Sequence, residues 1–470
     1  MWSKLLAMVT LNWTTLSWGF TQGHTAGMVG ALQKHDEGII LSEGQIFLIA
    51  AFLTLSSTFG LLYLPVLGDK LGRRWCFIIC SIPLVISWTI LYYAKTFAAF
   101  MWAKFISGLG CGPLFILCIV AAAEYTSYKS RGFHLSVVLM LTPTFGIGLG
   151  HVLGVLFHWR TLALVGVVLS TVHMVLPYFW VESPHWLASK GRFEECERSF
   201  RKLNGTDASA EHELQLLIKI EINKQKAASE MNTNHIFQKL FLAFKKRYFW
   251  ELILMTGVIY TYYTAAGKVV FSNLATVVLE EVTGTSDVLL FTCVVDGFIF
   301  LGTCISCLLI RKMAIRMLLF SSGLAANVIL ITLSACLYYK NGESYFQWII
   351  VILLALYFIV THAGPYPVMD ILLGEMFPLE LKLYCFLVAS PIIGIVFLYL
   401  LIFPYLVGWM GYHGLFLLNV AIMCICLAFF YVRMPETKGK TLHEIEVYFK
   451  TNNFDVDEVL STEEHIKELI

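Results

Sequence analysis

Long apolar runs alternate along the chain with short polar breaks, and the runs are of similar size. Twelve of them, at 5–22, 45–66, 75–94, 97–121, 133–156, 160–180, 249–279, 287–310, 313–338, 346–373, 384–407 and 411–433, reach the about 20 apolar residues that a membrane-crossing helix needs. The first run follows Lys4 as a leader would. No small-residue cleavage site ends it, because it continues through Ser17-Trp18-Gly19-Phe20, so it reads as an uncleaved anchor. The one sizeable polar segment between runs, 181–248, divides them six and six. Within it, residues 211–221 carry helical apolar spacing, which predicts short amphipathic helices at the membrane surface. The expected units are an N-terminal six-helix bundle (1–180), a helical linker (181–248), a C-terminal six-helix bundle (249–433) and a polar tail (434–470).

Composition agrees. Hydrophobic residues make up 58% of the 470 and charged residues 14%, against about 45–50% and 25% in soluble domains. This excludes a soluble globular enzyme and a disordered chain, and a net charge of +1 offers no basic face for nucleic acid. The cysteines number twelve and lie mostly inside apolar runs, where Cys acts as a small hydrophobe. Neither disulfides nor a metal at the Cys304/Cys307 pair is expected. The fold class is an all-α membrane protein.

Basic residues orient the spans. If both termini and the 2–3, 4–5, 6–7, 8–9 and 10–11 connections are cytoplasmic, that side holds Lys70, Arg73, Arg74, Lys129, Arg131, Lys382, Arg433, Lys438 and many more. The other side keeps Lys34, Lys95, Lys340 and Arg160, with an acidic 7–8 connection (Glu280, Glu281, Asp287). Positive charge stays inside. A repeat is also visible. Glu124 is followed seven residues later by Arg131, and Glu375 by Lys382, at an offset of 251. Glu182-Ser183-Pro184 after the sixth span answers Glu436-Thr437-Lys438 after the twelfth, at an offset of 254. Parallel six-helix copies are the plan of two-bundle secondary transporters, with solute held near the midplane between bundles.

Five motifs resemble the sugar porter family of the major facilitator superfamily, over essentially the whole chain. Gly68-Asp69-Lys70-Leu71-Gly72-Arg73-Arg74 resembles the DRxGRR loop, and Glu124 to Arg131-Gly132 the E-x6-RG signature. Glu182-Ser183-Pro184-His185-Trp186-Leu187 with Lys190-Gly191-Arg192 resembles PESPRWL…KGR. Glu375-Met376-Phe377-Pro378 resembles E-x-FP, and Pro435 to Leu442 with Glu444-Ile445-Glu446 the PETKGRTLEEIE tail. Within the family, insect facilitated trehalose and glucose transporters are most similar. The resemblance implies a twelve-helix carrier in the plasma membrane that moves a hexose- or trehalose-class sugar by facilitated diffusion with alternating access. No enzymatic activity, cofactor or metal is expected; the partners are a small solute and the bilayer. Asp69, Arg73, Arg74, Glu124, Arg131, Glu182, Glu375, Lys382 and Glu436 are expected to form ion pairs between bundles that close the cytoplasmic side. Each such pair is weak, about 0–1 kcal/mol, but together they bias a two-state equilibrium.

The sugar site departs from the family pattern. The family's helix-5 Gln is Leu139, the helix-7 QQLSGIN becomes Tyr260-Thr261-Tyr262-Tyr263-Thr264-Ala265-Ala266-Gly267-Lys268, and residues 384–407 hold no Asn. The helix-10 Trp is Asp370, and the helix-1 acidic residue of proton-coupled members is Thr21, which argues against proton symport. Charges appear instead at Asp296, Asp370, Lys268 and Lys104. A charge at the bilayer centre costs at least about 2.5–3.5 kcal/mol and is seldom idle. Asp296 and Asp370 are expected either to pair with Lys268 across helices 7, 8 and 10 or to contact solute. Lys104 is expected to snorkel at the outer end of helix 4. The expected solute-binding residues are Thr21, Gln22, Tyr262, Tyr263, Asp296, His362, Tyr366 and Asp370, with Gln22 and His24 near the outer rim and a hinge at Gly364-Pro365-Tyr366-Pro367. Gly108-Leu109-Gly110-Cys111-Gly112 reads as close helix packing. Two other readings stay open: a carrier for a cationic or proton-linked non-sugar solute, and a non-transporting sensor that keeps the gate alone.

Overall fold

The computed structural model describes residues 2–128, 130–230, 244–268, 270, 288–339, 344–377, 382–451 and 454. Helix follows helix: α1 (Trp2–Gln33), α2 (Glu43–Gly60), α3 (Leu64–Tyr93), α4 (Phe97–Glu124) and α6 (Trp159–Val175). Between the last two, α5 is built from Arg131–Ser136, a π-helical turn Val137–Leu141 and Thr142–Leu156. Three helices outside the spans follow, α7 (Pro184–Ser189), α8 (Phe193–Asn204) and α9 (Ala208–Glu230), then α10 (Arg247–Ala265), α11 (Val288–Lys312) and α12 (Ile315–Tyr338). The chain continues through α13 (Ser344–Ala363), α14 (Pro365–Glu375), α15 (Lys382–Arg433) and α16 (Leu442–Thr451). Nine apolar helical stretches among the described residues are long enough to cross a membrane. With α1, with α10, and with α15 counted as two spans across its bend at Gly411 (φ 67°), they make the twelve-helix, two-bundle major facilitator fold. Helix α1 continues well past the 5–22 run, carrying a polar Thr, Asn, Gln and His content that lowers its hydropathy.

Local chemistry explains the boundaries. Ser42 and Gln45 bond each other's backbone N–H at 3.3 and 3.0 Å, a capping box that starts α2. The π-turn of α5 sits directly ahead of Pro143. Proline has no N–H for the carbonyl four residues back, and the Thr142 N–H reaches instead to the Val137 carbonyl, widening the helix by one residue. The tenth span breaks at Gly364, with α14 restarting on Pro365, as the Gly-Pro-Tyr-Pro sequence predicts. The seventh breaks at Ala266-Gly267, with Gly267 at φ +81°. Its outer part, the acidic 7–8 connection, Lys129, Lys340 and Pro378 lie outside the described residues.

Glycine sets how closely α1 and α5 approach. Gly19, Gly23 and Gly27 face Gly146, Gly150 and Gly154 at four-residue spacing. A Cβ on Gly19 would stand 2.1 Å from the Pro143 carbonyl oxygen, and one on Gly146 2.3 Å from that of Leu16. Small residues at this spacing let membrane helices pack backbone to backbone. The Gly108–Gly112 run does the same against Ser56 and Ser57 of α2. Outside the spans, Trp186, Leu187, Cys196, Phe200, Leu214 and Leu217 bury one shared core among α7, α8 and α9. The helix predicted at 211–221 is thus part of α9.

Candidate functional site

Two sets of polar residues stand out, one at the end of the molecule that carries the basic loops and one in the middle. At the basic end, Arg73 grips Glu124 through two bonds, Nη2 to Oε1 at 2.7 Å and Nε to Oε2 at 3.0 Å, with the Ser183 hydroxyl on the same carboxylate at 2.6 Å. Both charges are buried. Glu182 accepts the backbone N–H groups of Arg73, at 2.8 Å, and of Arg74, at 3.3 Å, and the Arg74 guanidinium donates to the Tyr178 carbonyl. The backbone of Gly72 turns at φ +82°, and a Cβ there would lie 2.4 Å from Glu182 Oε2; this loop position admits only glycine. Asp69 takes Lys190 Nζ at 2.5 Å.

The second half repeats this construction. Glu436 accepts the N–H groups of Ile315 and Arg316, both at 3.1 Å, and the Arg316 guanidinium donates to the Tyr431 carbonyl at 2.8 Å. The worn loop around Arg311–Arg316 keeps Arg316 and the backbone geometry that Glu436 needs. Between the halves, Arg131 Nη1 lies 3.7 Å from Glu375 Oε1, both buried, and also donates to the Lys440 carbonyl at 3.3 Å. The expectation that all nine residues pair across the bundles is therefore corrected. Asp69, Arg73, Arg74, Glu124 and Glu182 tie their own half together, Glu436 does so in the other, and Lys382 Nζ donates to the Gly374 carbonyl within its half. Arg131–Glu375 crosses. In α7, the loss of water around the half-buried His185 imidazole lowers its pKa to about 4; Glu124 opposes this shift, and Arg131, Lys382 and Arg73 add to it.

In the middle, a cavity of about 220 Å³ opens between the halves. A Lys–Asp ion pair and a His–Asp hydrogen bond stand in its wall. Lys268, just past the break in the seventh span, places Nζ 3.1 Å from Asp370 Oδ2, 4.0 Å from the Tyr263 ring centre and 5.3 Å from that of Tyr366. The Tyr263 hydroxyl donates to the other Asp370 oxygen at 2.5 Å. The carbonyl freed at Ala266 accepts both Tyr357 and Tyr366 hydroxyls at 2.9 Å, so the two helix breaks are joined by side chains. Asp296 does not share Lys268, as the sequence reading allowed; it meets His151 Nδ1 of α5 at 2.7 Å. Gln22, His362 and Tyr366 also line the cavity, His362 with Nδ1 on the Phe358 carbonyl at 2.9 Å. Gln22 Oε1 and His151 Nε2 have no partner.

Two expected ligands point elsewhere. The Thr21 hydroxyl donates to the Ser17 carbonyl of its own helix at 2.8 Å, and Tyr262 is buried away from the cavity, its hydroxyl beside Gly323. His24 is not at a rim: it is buried, its Nε2 2.9 Å from the Trp159 carbonyl oxygen. Lys104 does not snorkel: it is buried, with Nζ on the Thr25 hydroxyl at 2.6 Å. Conversely, Trp18, Thr144, His151 and Tyr260 line the cavity and were not anticipated. Of these, His151 carried a signal, a titratable residue inside the 133–156 apolar run.

Two six-helix halves, a polar-edged cavity between them and a buried Arg131–Glu375 contact joining them at one end define a solute carrier of the major facilitator type. The chain belongs to the "Sugar (and other) transporter" family, whose model matches residues 13–449. It is similar to Sugar transporter ERD6-like 6 of Arabidopsis thaliana, 25% identical over 95% of this chain and 91% of that one. It is 24% identical to the facilitated trehalose transporter Tret1 of Apis mellifera ligustica over 95% and 88% of the two chains. Against Tret1 of Aedes aegypti it is 25% identical over 95% of its own length but spans only 55% of that relative's. Among solved structures, the proton:xylose symporter XylE bound to 6-bromo-6-deoxy-D-glucose superposes with a TM-score of 0.79 at 19% identity, over 95% and 99% of the chains. The inward-open form of E. coli XylE gives 0.65 at 18% identity over 93% and 98%.

Proposed function

We propose that this protein is a multi-pass carrier of the plasma membrane that moves a sugar of the hexose or trehalose class down its gradient by alternating access, without a cofactor. In this reading the basic end and both termini are cytoplasmic. The working units are the bundles 1–180 and 249–433, the linker 181–248 and the tail 434–470. The observation that carries it is the cavity between the halves, with the Arg131–Glu375 contact on its basic side. Trp18, Tyr260, Tyr263 and Tyr366 offer rings to the C–H faces of a sugar, while Gln22, Thr144, His151 and Lys268 offer donors and acceptors for hydroxyls. Both cavity carboxylates already have basic partners in the protein, Lys268 and His151, which disfavours their use as a site for a cationic solute.

The test is counterflow in proteoliposomes against hexoses, trehalose and organic cations. Accelerated exchange with one or more of the sugars supports the proposal. Exchange with cations alone, or with nothing in protein shown to be folded, overturns it.

A further inference from the structure

Two of the contacts between the halves tie acidic partners to a single helix. On α5, Arg131 meets Glu375 at 3.7 Å, and twenty residues later His151 meets Asp296 of α11 at 2.7 Å. At about 1.5 Å of rise per residue these points are roughly 30 Å apart. Between them on α5 lie the cavity-lining Leu139, Met140, Pro143, Thr144 and Ile147. With α5 held to the opposite half on both sides of the cavity, each opening of the cavity has to release one fastening while the other holds.

We infer that His151 and Asp296 form the second clasp of the transport cycle, which parts when the cavity opens toward the end opposite the basic network. This rests on the alternating-access reading above. Three observations favour a clasp over static packing. The pair joins different halves, whereas the better-bonded Arg73–Glu124 lies within one half. Both side chains line the cavity, and the side chain of Asp296 keeps 15% exposure. His151 Nε2 is buried without a partner, so a solute hydroxyl that bonds it touches the clasp itself. Toward the basic end the α5–α11 seam continues through Phe145 on Phe300 at 6.0 Å between ring centres, Ser136 on Ser306 at 3.3 Å and the Arg311 guanidinium over the Phe133 ring at 3.7 Å. None of these leaves a carboxylate without its partner when it parts. His151 and Asp296 are positioning residues for the conformational step, and they set which way the empty carrier rests.

For a passive carrier, the ratio of maximal flux in the two directions reports the resting orientation, because the empty carrier must return before each one-way turnover. The test measures one-way sugar flux in both directions in right-side-out and inside-out vesicles holding the full chain. With the clasp weakened in His151→Gln or Asp296→Asn, the carrier rests open on the clasp side. The ratio of maximal entry from that side to exit is expected to rise at least threefold, with the KM ratio moving in step. The exchanged pair His151→Asp/Asp296→His is expected to return the ratio toward wild type. Flux lowered equally in both directions, with an unchanged ratio, marks the contact as static packing and overturns the inference. If Asp296→Asn does not reach the membrane, His151→Gln decides alone. Absence of sugar flux in wild-type vesicles would instead count against the carrier reading.

Discussion

The charge network at the basic end and the cavity in the middle are threaded by the same helices but differ in how firmly sequence binds them. At the network, Glu182 and Glu436 each accept two successive backbone N–H groups from a loop of their own half. Only a carboxylate at that reach, facing a tight loop, satisfies such a pair. The arrangement therefore survives in both halves, even though the second-half loop has lost most of its motif. In the cavity, side chains answer to a solute and to one another, and a Lys–Asp–Tyr cluster and a His–Asp pair stand in its wall. The lesson is that contacts closed through backbone preserve themselves as motifs, while contacts closed through side chains can be rebuilt without disturbing the fold.

The network itself divides in two, and this gives the largest expected effect. Arg73–Glu124 is bidentate, buried and internal to one half. Arg73→Met leaves Glu124 charged and uncompensated, and removing one partner of such a pair costs about 3–5 kcal/mol. The expected outcome is a large fall in Tm of the purified carrier, partly recovered in Arg73→Met/Glu124→Gln. Glu375→Gln, at the longer contact between halves, is expected to slow transport with a smaller fall in Tm than Arg73→Met. Thermal melting beside flux at matched expression separates the two, and an interchange of the outcomes would erase the distinction between internal brace and cross-half contact.

A second measurement probes the same brace through pH. His185 packs behind Glu124, and burial holds its pKa at about 4 against an ordinary 6.5. A lowered histidine pKa means that the folded state binds fewer protons than the unfolded state between these values. Its stability is thus intact above pH 6.5 and declines as pH falls toward 4. The effect is about 2 kcal/mol once residual exposure is allowed for. His185→Gln is expected to flatten that part of the stability profile relative to wild type; parallel profiles would show that the imidazole is protonated without penalty.

These particular residues show why the charge network was legible and the cavity less so. Helix count, repeat and network residues follow from run length, charge bias and motif. Only the partners are invisible in sequence, which places Glu182 and Glu436 at helix ends without saying that backbone amides wait there. In the cavity, the errors are errors of helix phase. Thr21 and Gln22 are neighbours, as are Tyr262 and Tyr263, and adjacent helical residues point about 100° apart. In a span that is apolar on every side, no amphipathic stripe tells which neighbour faces inward. The same ambiguity hid His151, while Asp370 and Lys268 were found because intramembrane charge is conspicuous at any phase.

In the cavity, Lys268→Met is expected to reduce flux capacity, Vmax/KM, about tenfold, equivalent to about 1.4 kcal/mol, since it removes the cation held by Asp370 and two aromatic rings. Asp370→Asn should do the same, and the double variant should not add the two losses, because the residues act as one unit. Additive losses would mean that each side chain meets the solute separately.

The smallest and most discriminating difference lies between the adjacent tyrosines. Tyr262 is fully buried, and its hydroxyl has no partner, so Tyr262→Phe removes an unpaid desolvation cost. The expected result is unchanged sugar affinity and a stability equal to or slightly above wild type, by up to about 1 kcal/mol. Tyr263 places its hydroxyl on Asp370 at 2.5 Å and lines the cavity. Tyr263→Phe frees one oxygen of a carboxylate that also holds Lys268, and a bond to a charged acceptor lost at this site is expected to raise KM roughly fivefold, about 1 kcal/mol. The two substitutions delete the same atom from neighbouring residues, so protein yield and helix propensity cancel between them. A rise in KM for Tyr262→Phe with none for Tyr263→Phe would reverse the phase of the seventh span, and with it the assignment of the Lys268–Asp370 cluster to the solute path.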